Sequence, residues 1–534
     1  MTSESVLARH HQLDALRAFA MVLGIVLHGL LPFIDVPIWP ARDVHQDLAE
    51  YGFHAIHGFR LPLFFLVSGF FTAMLWRRRG MRSLVRHRVK RILVPLVVGT
   101  ILTWPLLIAV GLWGAKTKAE LAKRETAPTL SQAAKTGNLE AIREHAARGI
   151  DINRRDGMGA TPMVSAALLG QSETIDLLVS LGADVASETI DGSTALHAAA
   201  LFGRVEAVEL LLALDADSQV RNRQGATPLD NARVDWSFVQ FVAGAMSMSV
   251  DKVGMQRDRA RVVALLEEAQ MANAEQPKSV WDSIVIFFYV GSIIPVFHHL
   301  WFLYYLLWLL VGFVIVAMVV RKASWLRFPT WLTSVPGCLL WWIPLTVMPQ
   351  LVMRQSFGPD TSPGLLPWPP KLLYYAIFFA FGALCYGRDG AIERAGRRWI
   401  LYFLLAIPAL IFGVQSFAKY GAPLSSTHLV TTVTSVIYAW LMIFGCLGLF
   451  HRFFAKESPR IRYLSDASYW LYLAHLPLIV ALQVWVSPWS LPSLLKLTFV
   501  CTLTIGILMV IYAYVVRYSF IGALLNGRRL RPGQ

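Results

Sequence analysis

Long apolar segments alternate with short polar loops over most of the chain, and one polar stretch interrupts them near the middle. A helix of about 20 apolar residues crosses the hydrocarbon core of a bilayer. Ten such segments are predicted spans, at about 13–34, 54–76, 92–113, 299–320, 331–352, 371–388, 399–417, 429–450, 467–486 and 493–516. The pattern predicts an all-α, polytopic transmembrane helix bundle with an insert between its third and fourth spans.

The polar stretch repeats itself every 33 residues. Gly159-Ala160-Thr161-Pro162 recurs in altered form from Gly192 and from Gly225, and pairs of leucines keep the same period. The threonine caps a helix, the proline suits its first turn, and the leucines pack one unit on the next. This pattern resembles ankyrin repeats. It predicts an α-solenoid of three to four repeats at 129–270, with a possible capping helix near 259–270, between membrane parts at 1–115 and 279–534. His197 lies in the repeat signature and is expected to be structural.

Charge is sparse and unevenly placed. Only 16% of the residues are charged, while 55% are hydrophobic, and the formal net charge is +15. Basic residues concentrate in alternate loops, most densely between the second and third spans, which marks the cytoplasmic side of the membrane. We therefore expect a multi-pass inner-membrane protein with both termini in the cytoplasm and a retained first span. No basic stretch is interleaved with stacking aromatic residues, so nucleic acid is not an expected partner.

The side of the insert follows from the span count. A full third crossing places the insert in the periplasm, which is the favoured interpretation. In the alternative, Pro95 and Pro105 make the third segment re-entrant, and the apolar segment 279–297 crosses instead of lying at the interface. The insert is then cytoplasmic, and every later loop keeps its side.

Ionisable groups inside the spans are the candidates for chemistry, because burying them in a membrane is costly. Asp14, Arg17 and His28 fall on one face of the first span, with His28 about 16 Å from Arg17 along the helix. A buried imidazole can accept a proton from an attacking hydroxyl; the alternative is a histidine hydrogen-bonded in the bundle core.

Ser68-Gly69 in the second span permits close helix approach. The four cysteines show no metal-ligand spacing, and no metal site is predicted.

Three motifs lie before the insert and three after it. The first are Leu13-Asp14-Ala15-Leu16-Arg17 with His28, Pro62-Leu63-Phe64-Phe65 with Ser68-Gly69, and Arg88 to Pro95. The later ones are His299-Leu300-Trp301-Phe302-Leu303, Ser468 to Pro477, and the tail from Gly522 to Arg529. The motifs before the insert resemble acyltransferase family 3, and those after it are similar to its glucan biosynthesis protein C-like branch. The insert before His299 departs from that branch.

The resemblance implies transfer of an acyl group, acetyl or succinyl, from cytoplasmic acyl-CoA to a hydroxyl of a periplasmic or envelope saccharide such as a glucan. It implies His28 as the catalytic base and Arg17 as the group that orients the donor. Further substrate-binding candidates are Asp14, Arg60, Arg88, Arg91, His299, Trp301 and His475. Two other hypotheses stay open: an anion or acyl transporter, and a membrane-anchored scaffold. The insert either binds a protein or other ligand or acts as a spacer.

Overall fold

A computed structural model describes most of the chain. The described residues are 10–34, 39–41, 43–44, 46–122, 129–156, 159–189, 191–222, 225–245, 251–271, 296–322, 329–353, 357–361, 364–388, 390–418 and 426–527. The predicted interfacial segment at 279–297 lies outside them except for its last two residues. The tail arginines after residue 527 also lie outside the described residues.

The chain divides into two compact units. One consists of Met1–Ile34, Pro40–Lys118 and Gly291–Gln534, and the other of Asp35–Trp39 and Ala119–Val290. The junctions therefore fall at Lys118 and Gly291, compared with predicted domain limits of 115 and 279. We describe the two units in turn as the membrane unit and the insert.

The membrane unit begins with three helices: α1 His11–Leu30, α2 Asp47–Arg88 and α3 Val94–Ala122. A π-helical turn at Val89–Leu93 joins α2 directly to α3. The chain leaves helical geometry inside α2 at Gly80, whose φ of 74° suits a residue without a Cβ. This bend separates the apolar part of α2 from its arginine-rich end.

The described part of the insert consists of helices, most of them short. They are α4 Leu130–Thr136, α5 Leu139–Ala147, α6 Pro162–Leu169, α7 Ser172–Ser180, α8 Ala195–Leu201, α9 Val205–Ala213, α10 Pro228–Ala232, α11 Trp236–Ala245 and α12 Lys252–Met271. Successive helices such as α4 and α5, α6 and α7, and α8 and α9 are in contact. Each Thr-Pro opens a helix as predicted, since the Thr161 hydroxyl accepts a hydrogen bond from the Val164 amide at 3.3 Å. Val262 and Leu266 of α12 are fully buried in the core of the insert, as a terminal packing helix requires.

His197 is a structural residue of the repeat. Its Nδ1 accepts from the Thr194 amide at 3.2 Å, and its Nε2 donates to the Ala226 carbonyl of the next repeat at 2.9 Å. Burial lowers the pKa of His197, which favours the neutral ring that this pair of bonds requires.

The second part of the membrane unit supplies the remaining helices. They are α13 Trp301–Lys322, α14 Leu339–Leu351, α15 Pro369–Cys385, α16 Ala391–Ala395, α17 Trp399–Ala418, α18 Ser426–Phe454, α19 Pro459–Val486, α20 Ser493–Ile511 and α21 Phe520–Asn526.

An apolar helix overlaps each of the ten predicted spans. Within the described residues, seven helical stretches are long and apolar enough to cross a membrane, and the longest, Asp47–Thr117, contains two predicted spans. The two remaining predicted spans correspond to the shorter apolar helices α14 and α15. The described residues contain no β-strand. The all-α polytopic fold is therefore confirmed.

Close backbone contact between α2 and α15 holds the centre of the bundle. A Cβ added to Gly69 would overlap the Phe379 carbonyl, and one added to Gly382 would overlap the Leu66 carbonyl. The predicted role of Gly69 in helix approach is thus confirmed. Helix α1 packs against α2 and α19, so residues on its two inner faces meet both.

Candidate active site

A cavity of about 470 Å³ lies at the arginine-rich end of the membrane unit. Its charged lining side chains carry a surplus of positive charge; they are Asp14, Arg17, Arg78, Arg79, Arg88 and Arg91. Apolar side chains, among them Met21, Phe64 and Phe302, line the rest of the cavity. Burial, and next the charge of Arg78, lowers the pKa of the lining residue His10.

The arginines are held by polar groups on neighbouring helices. The Arg17 Nη2 lies 3.5 Å from the Asp14 carboxylate and donates to the Ser465 hydroxyl of α19 at 3.2 Å. The Arg88 Nη2 donates to the Thr72 hydroxyl at 2.7 Å, across the bend in α2. Because these contacts use only some of the N–H groups on each guanidinium, the cavity presents several donors suited to phosphate or carboxylate oxygens.

Three histidines from three helical segments meet in the interior of the bundle. The Nδ1 of His28 on α1 lies 2.9 Å from the Nε2 of His475 on α19. The rings of His475 and His299 are 5.0 Å apart and nearly perpendicular. His299 belongs to the short 3-10 turn His298–Leu300 that precedes α13. We call His28, His299 and His475 the histidine cluster.

The hydrogen bonds of the cluster determine where its protons lie. The His475 Nδ1 is 2.8 Å from the Tyr472 carbonyl and 3.1 Å from the Leu471 carbonyl, and carbonyls only accept. The His475 Nδ1 therefore carries a hydrogen, and its Nε2 accepts from the His28 Nδ1. In this neutral tautomer the lone pair of His28 is on Nε2, which is the arrangement that a general base requires.

The cluster does not resemble a metal site. The facing nitrogens of His28 and His475 are at hydrogen-bond distance from each other, whereas metal ligands point at a common centre. Within the described residues no group of three or more His, Cys, Asp or Glu side chains is arranged to hold a metal ion.

The cavity and the histidine cluster occupy successive levels of α1. Met21 lines the cavity, and His28 follows seven residues later, about 10 Å farther along the helix. Phe302 links the two levels, since it lines the cavity while its ring packs against Tyr472, the neighbour of His475. Arg17 and His28 both hydrogen-bond to α19, so the predicted shared face of α1 is confirmed.

Comparison with known families assigns this chain to one of them. The sequence model of the acyltransferase domain of acyltransferase family 3 matches residues 10–123 and 268–513, which together exceed half of the chain. The protein belongs to this acyltransferase family. A model of ankyrin repeats in three copies matches residues 130–222, between the two acyltransferase segments. Both predicted resemblances are confirmed.

Similarity to curated relatives is partial. The acyltransferase is 33% identical over 113 residues to the glucans biosynthesis protein C of Shigella dysenteriae serotype 1, strain Sd197, and 35% identical over 114 residues to that of Escherichia coli, strain SMS-3-5. Each alignment covers 21% of this chain and 29% of the relative. The similarity therefore extends over less than a third of the length of these relatives.

The predicted site residues of the acyltransferase fall into separate groups. Asp14, Arg17, Arg88 and Arg91 line the cavity, and His28, His299 and His475 form the cluster. Trp301 belongs to neither group, because its ring packs on Tyr305 and Tyr375 in the aromatic core. The roles of all these residues in catalysis or binding stay predictions.

Sequence reasoning missed several residues of the acyltransferase site. Ser465 holds Arg17, Thr72 holds Arg88, and the Tyr469 hydroxyl donates to the Arg91 carbonyl at 2.6 Å. Tyr469 lies within the motif Ser468 to Pro477, so that motif was the available signal. Nothing in the sequence pairs Thr72 with a particular arginine.

We expect Arg91→Gln to raise the KM of the acyltransferase for acyl-CoA about 10-fold and to leave kcat unchanged. A hydrogen bond to a charged group contributes roughly 1.5–3 kcal/mol, and the lower value suits a partly exposed site. Arg86→Gln is the matched control, because Arg86 is exposed near the end of α2, five residues before Arg91, and does not line the cavity. Initial rates over a range of acyl-CoA concentrations test this. Equal KM changes in both variants would show that the effect comes from general positive charge alone.

Proposed function

We propose that the protein is an integral-membrane O-acyltransferase. It moves an acyl group, acetyl or succinyl, from acyl-CoA to a hydroxyl of a saccharide, for which a glucan is the candidate suggested by the names of the relatives. The observation that carries the proposal is the hydrogen-bond chain of the histidine cluster, which leaves the lone pair of His28 on Nε2. The positively charged cavity one level away suits the phosphates of the donor.

Each residue has a distinct role in this proposal. Arg17, Arg88 and Arg91 bind the phosphates of the donor, and Asp14 orients Arg17. The thioester end reaches past Phe302 toward the cluster. There the His28 Nε2 takes the proton of the attacking saccharide hydroxyl, and His475 is a positioning residue that fixes the tautomer and orientation of His28. His299 packs on His475 and lines the path of the acceptor.

The proposed orientation follows the distribution of arginines. The protein lies in the inner membrane, and its arginine-lined cavity opens toward the cytoplasm, where acyl-CoA is made. The acceptor approaches from the periplasmic side. Both termini are then cytoplasmic and the ankyrin insert is periplasmic, where it binds a protein partner.

Transfer by the purified full-length protein, reconstituted in lipid vesicles, tests the function. Acetyl-CoA or succinyl-CoA is supplied with and without a glucan oligosaccharide, and we measure free CoA thiol and the mass of the saccharide. We expect release of CoA that depends on the saccharide and a matching acylated product for one of the two donors. Release that is the same without saccharide, with no acylated product, would contradict the proposal.

A further inference from the structure

Arg60 is a buried cation inside the membrane unit that has no counterion among the described residues. It lies in the apolar part of α2, only 9% of its surface is exposed, and its Nε has no hydrogen-bond partner. No ion pair or hydrogen bond joins its guanidinium to any residue that the structure describes. Burying a charge is costly unless it is paired. An arginine in this position therefore indicates a group of opposite charge that the protein binds or forms.

The guanidinium lies between the cavity and the proposed base. Its Nη1 packs so closely on Gly24 of α1 that an added Cβ would overlap it. Gly24 follows Met21, which lines the cavity, and precedes His28 by one helical turn, or about 6 Å. A thioester that extends from the cavity toward the His28 Nε2 must pass this level.

A second donor group accompanies Arg60. The Tyr375 side chain on α15 is fully buried, and its hydroxyl has no hydrogen-bond partner within the described residues. Arg60 interacts electrostatically with Tyr375 and with Tyr472. The Tyr472 hydroxyl already donates to the His299 carbonyl at 2.8 Å, whereas the Tyr375 hydroxyl remains available. The Arg60 guanidinium contacts Gly24, which is one helical turn before His28, so it lies near the level of the histidine cluster.

We propose that Arg60, assisted by the Tyr375 hydroxyl, binds the carbonyl oxygen of the donor thioester and stabilises the oxyanion that forms on it. This inference rests on the proposed acyl transfer. The acceptor hydroxyl oxygen bonds to the carbonyl carbon, its proton passes to the His28 Nε2, and the carbonyl π pair moves onto the oxygen facing Arg60. Collapse re-forms the C=O bond and breaks the C–S bond. The CoA sulfur takes the proton from His28, and the products are the ester and CoA.

The lack of a counterion for Arg60 among the described residues fits this role. An arginine paired with a carboxylate would be neutralised before the reaction began. An unpaired cation held rigidly in a low-dielectric site interacts weakly with a neutral thioester and strongly with the oxyanion, so its effect is on kcat. A role in binding an acyl group that carries its own carboxylate predicts a different result, because that charge is present in the ground state.

Kinetics of Arg60 variants with two donors test the proposal. In the reconstituted full-length protein we expect Arg60→Gln to lower kcat about 10²- to 10³-fold for both acetyl-CoA and succinyl-CoA, with little change in either KM. Arg60→Lys, which keeps the charge but not the geometry, should retain more activity than Arg60→Gln. Tyr375→Phe should lower kcat about 10-fold.

A stability measurement separates this role from a structural one. Because Arg60→Gln removes an unpaired buried charge, its thermal unfolding midpoint should equal or exceed that of the wild type. A lower midpoint together with unchanged kcat would show that Arg60 is structural and would overturn the proposal. A change confined to succinyl-CoA, chiefly in KM, would overturn it in favour of carboxylate recognition.

If the wild type itself transfers neither group, the proposed function fails and this inference with it. If the wild type is active and Arg60→Gln keeps its kcat, only the inference fails.

Discussion

Replacing His28 with alanine is expected to lower kcat for acyl transfer by about 10²- to 10⁴-fold, the range that a positioned general base contributes. The reason is that the lone pair on His28 Nε2 is the proposed acceptor of the hydroxyl proton, and alanine offers none. The KM for acyl-CoA should change little, because Arg17, the cavity arginine on α1, lies about 16 Å from His28 along that helix. Steady-state rates with purified, reconstituted variant and wild type measure both quantities.

Two further variants make the His28 test specific. His451→Ala removes a histidine of α18 that belongs to neither the cavity nor the cluster, and it should retain wild-type kcat. His475→Ala should lower kcat less than His28→Ala, and the double variant should be no slower than His28→Ala alone, since the two histidines act as one unit. Full activity in a folded His28→Ala variant would contradict the assignment of His28 as the general base. Additive losses in the double variant would instead show that His475 has a separate role.

Replacing Gly69 with alanine is expected to destabilise the membrane unit by about 1–3 kcal/mol, the usual cost of forcing extra atoms into a packed interior. The added Cβ would overlap the Phe379 carbonyl, a backbone group that can move only if α15 moves away from α2. Because α2 also carries Arg60 and Thr72, separation of these helices should lower activity as well. Thermal unfolding followed by size-exclusion chromatography in detergent measures the loss.

A matched glycine isolates the effect of the helix contact. Gly312→Ala on α13 and Gly506→Ala on α20 each add the same methyl group where no atom lies within 4 Å, so the midpoint should stay the same or rise slightly. Gly69→Ala combined with Gly382→Ala should cost less than the sum of the two single changes, because one separation of α2 from α15 accommodates both methyl groups. An unchanged midpoint in Gly69→Ala would contradict the close packing of these helices.

The features of the site that depend on one helix alone could be predicted from the sequence. Asp14, Arg17 and His28 share a face because an α-helix repeats every 3.6 residues, and the structure places Asp14 and Arg17 at the cavity and His28 at the cluster on that face. Gly69 was predicted as a point of close approach because a residue without a side chain allows it. His197 was predicted to be structural from its place in the repeat, and its bonds within and between repeats confirm this.

Other features of the site could not be predicted in this way. Trp301 was a candidate substrate-binding residue because of its motif, and only the structure shows that its ring packs on Tyr305 and Tyr375. Its role in binding stays a prediction. Arg60 was one of several candidate substrate-binding residues, and no pattern in the sequence distinguished it as a cation beside Gly24 that has no counterion among the described residues. The hydrogen bond from Arg88 to Thr72 forms only because α2 bends at Gly80 between them. The pattern of apolar residues does not predict that bend.

By itself, the sequence determined ten apolar segments, an ankyrin insert with a 33-residue period, arginines concentrated in alternate loops, and motifs of an acyltransferase family. These are properties of local segments, because burial in lipid, helix periodicity and repeat spacing are recorded residue by residue along the chain. Only the tertiary structure decided which helices are neighbours. It brought His28 to within 2.9 Å of His475, a residue 447 positions away, and set Arg60 against Gly24. Many pairings of apolar helices bury similar surfaces, so the choice among them comes from close packing of particular side chains, which no single segment contains.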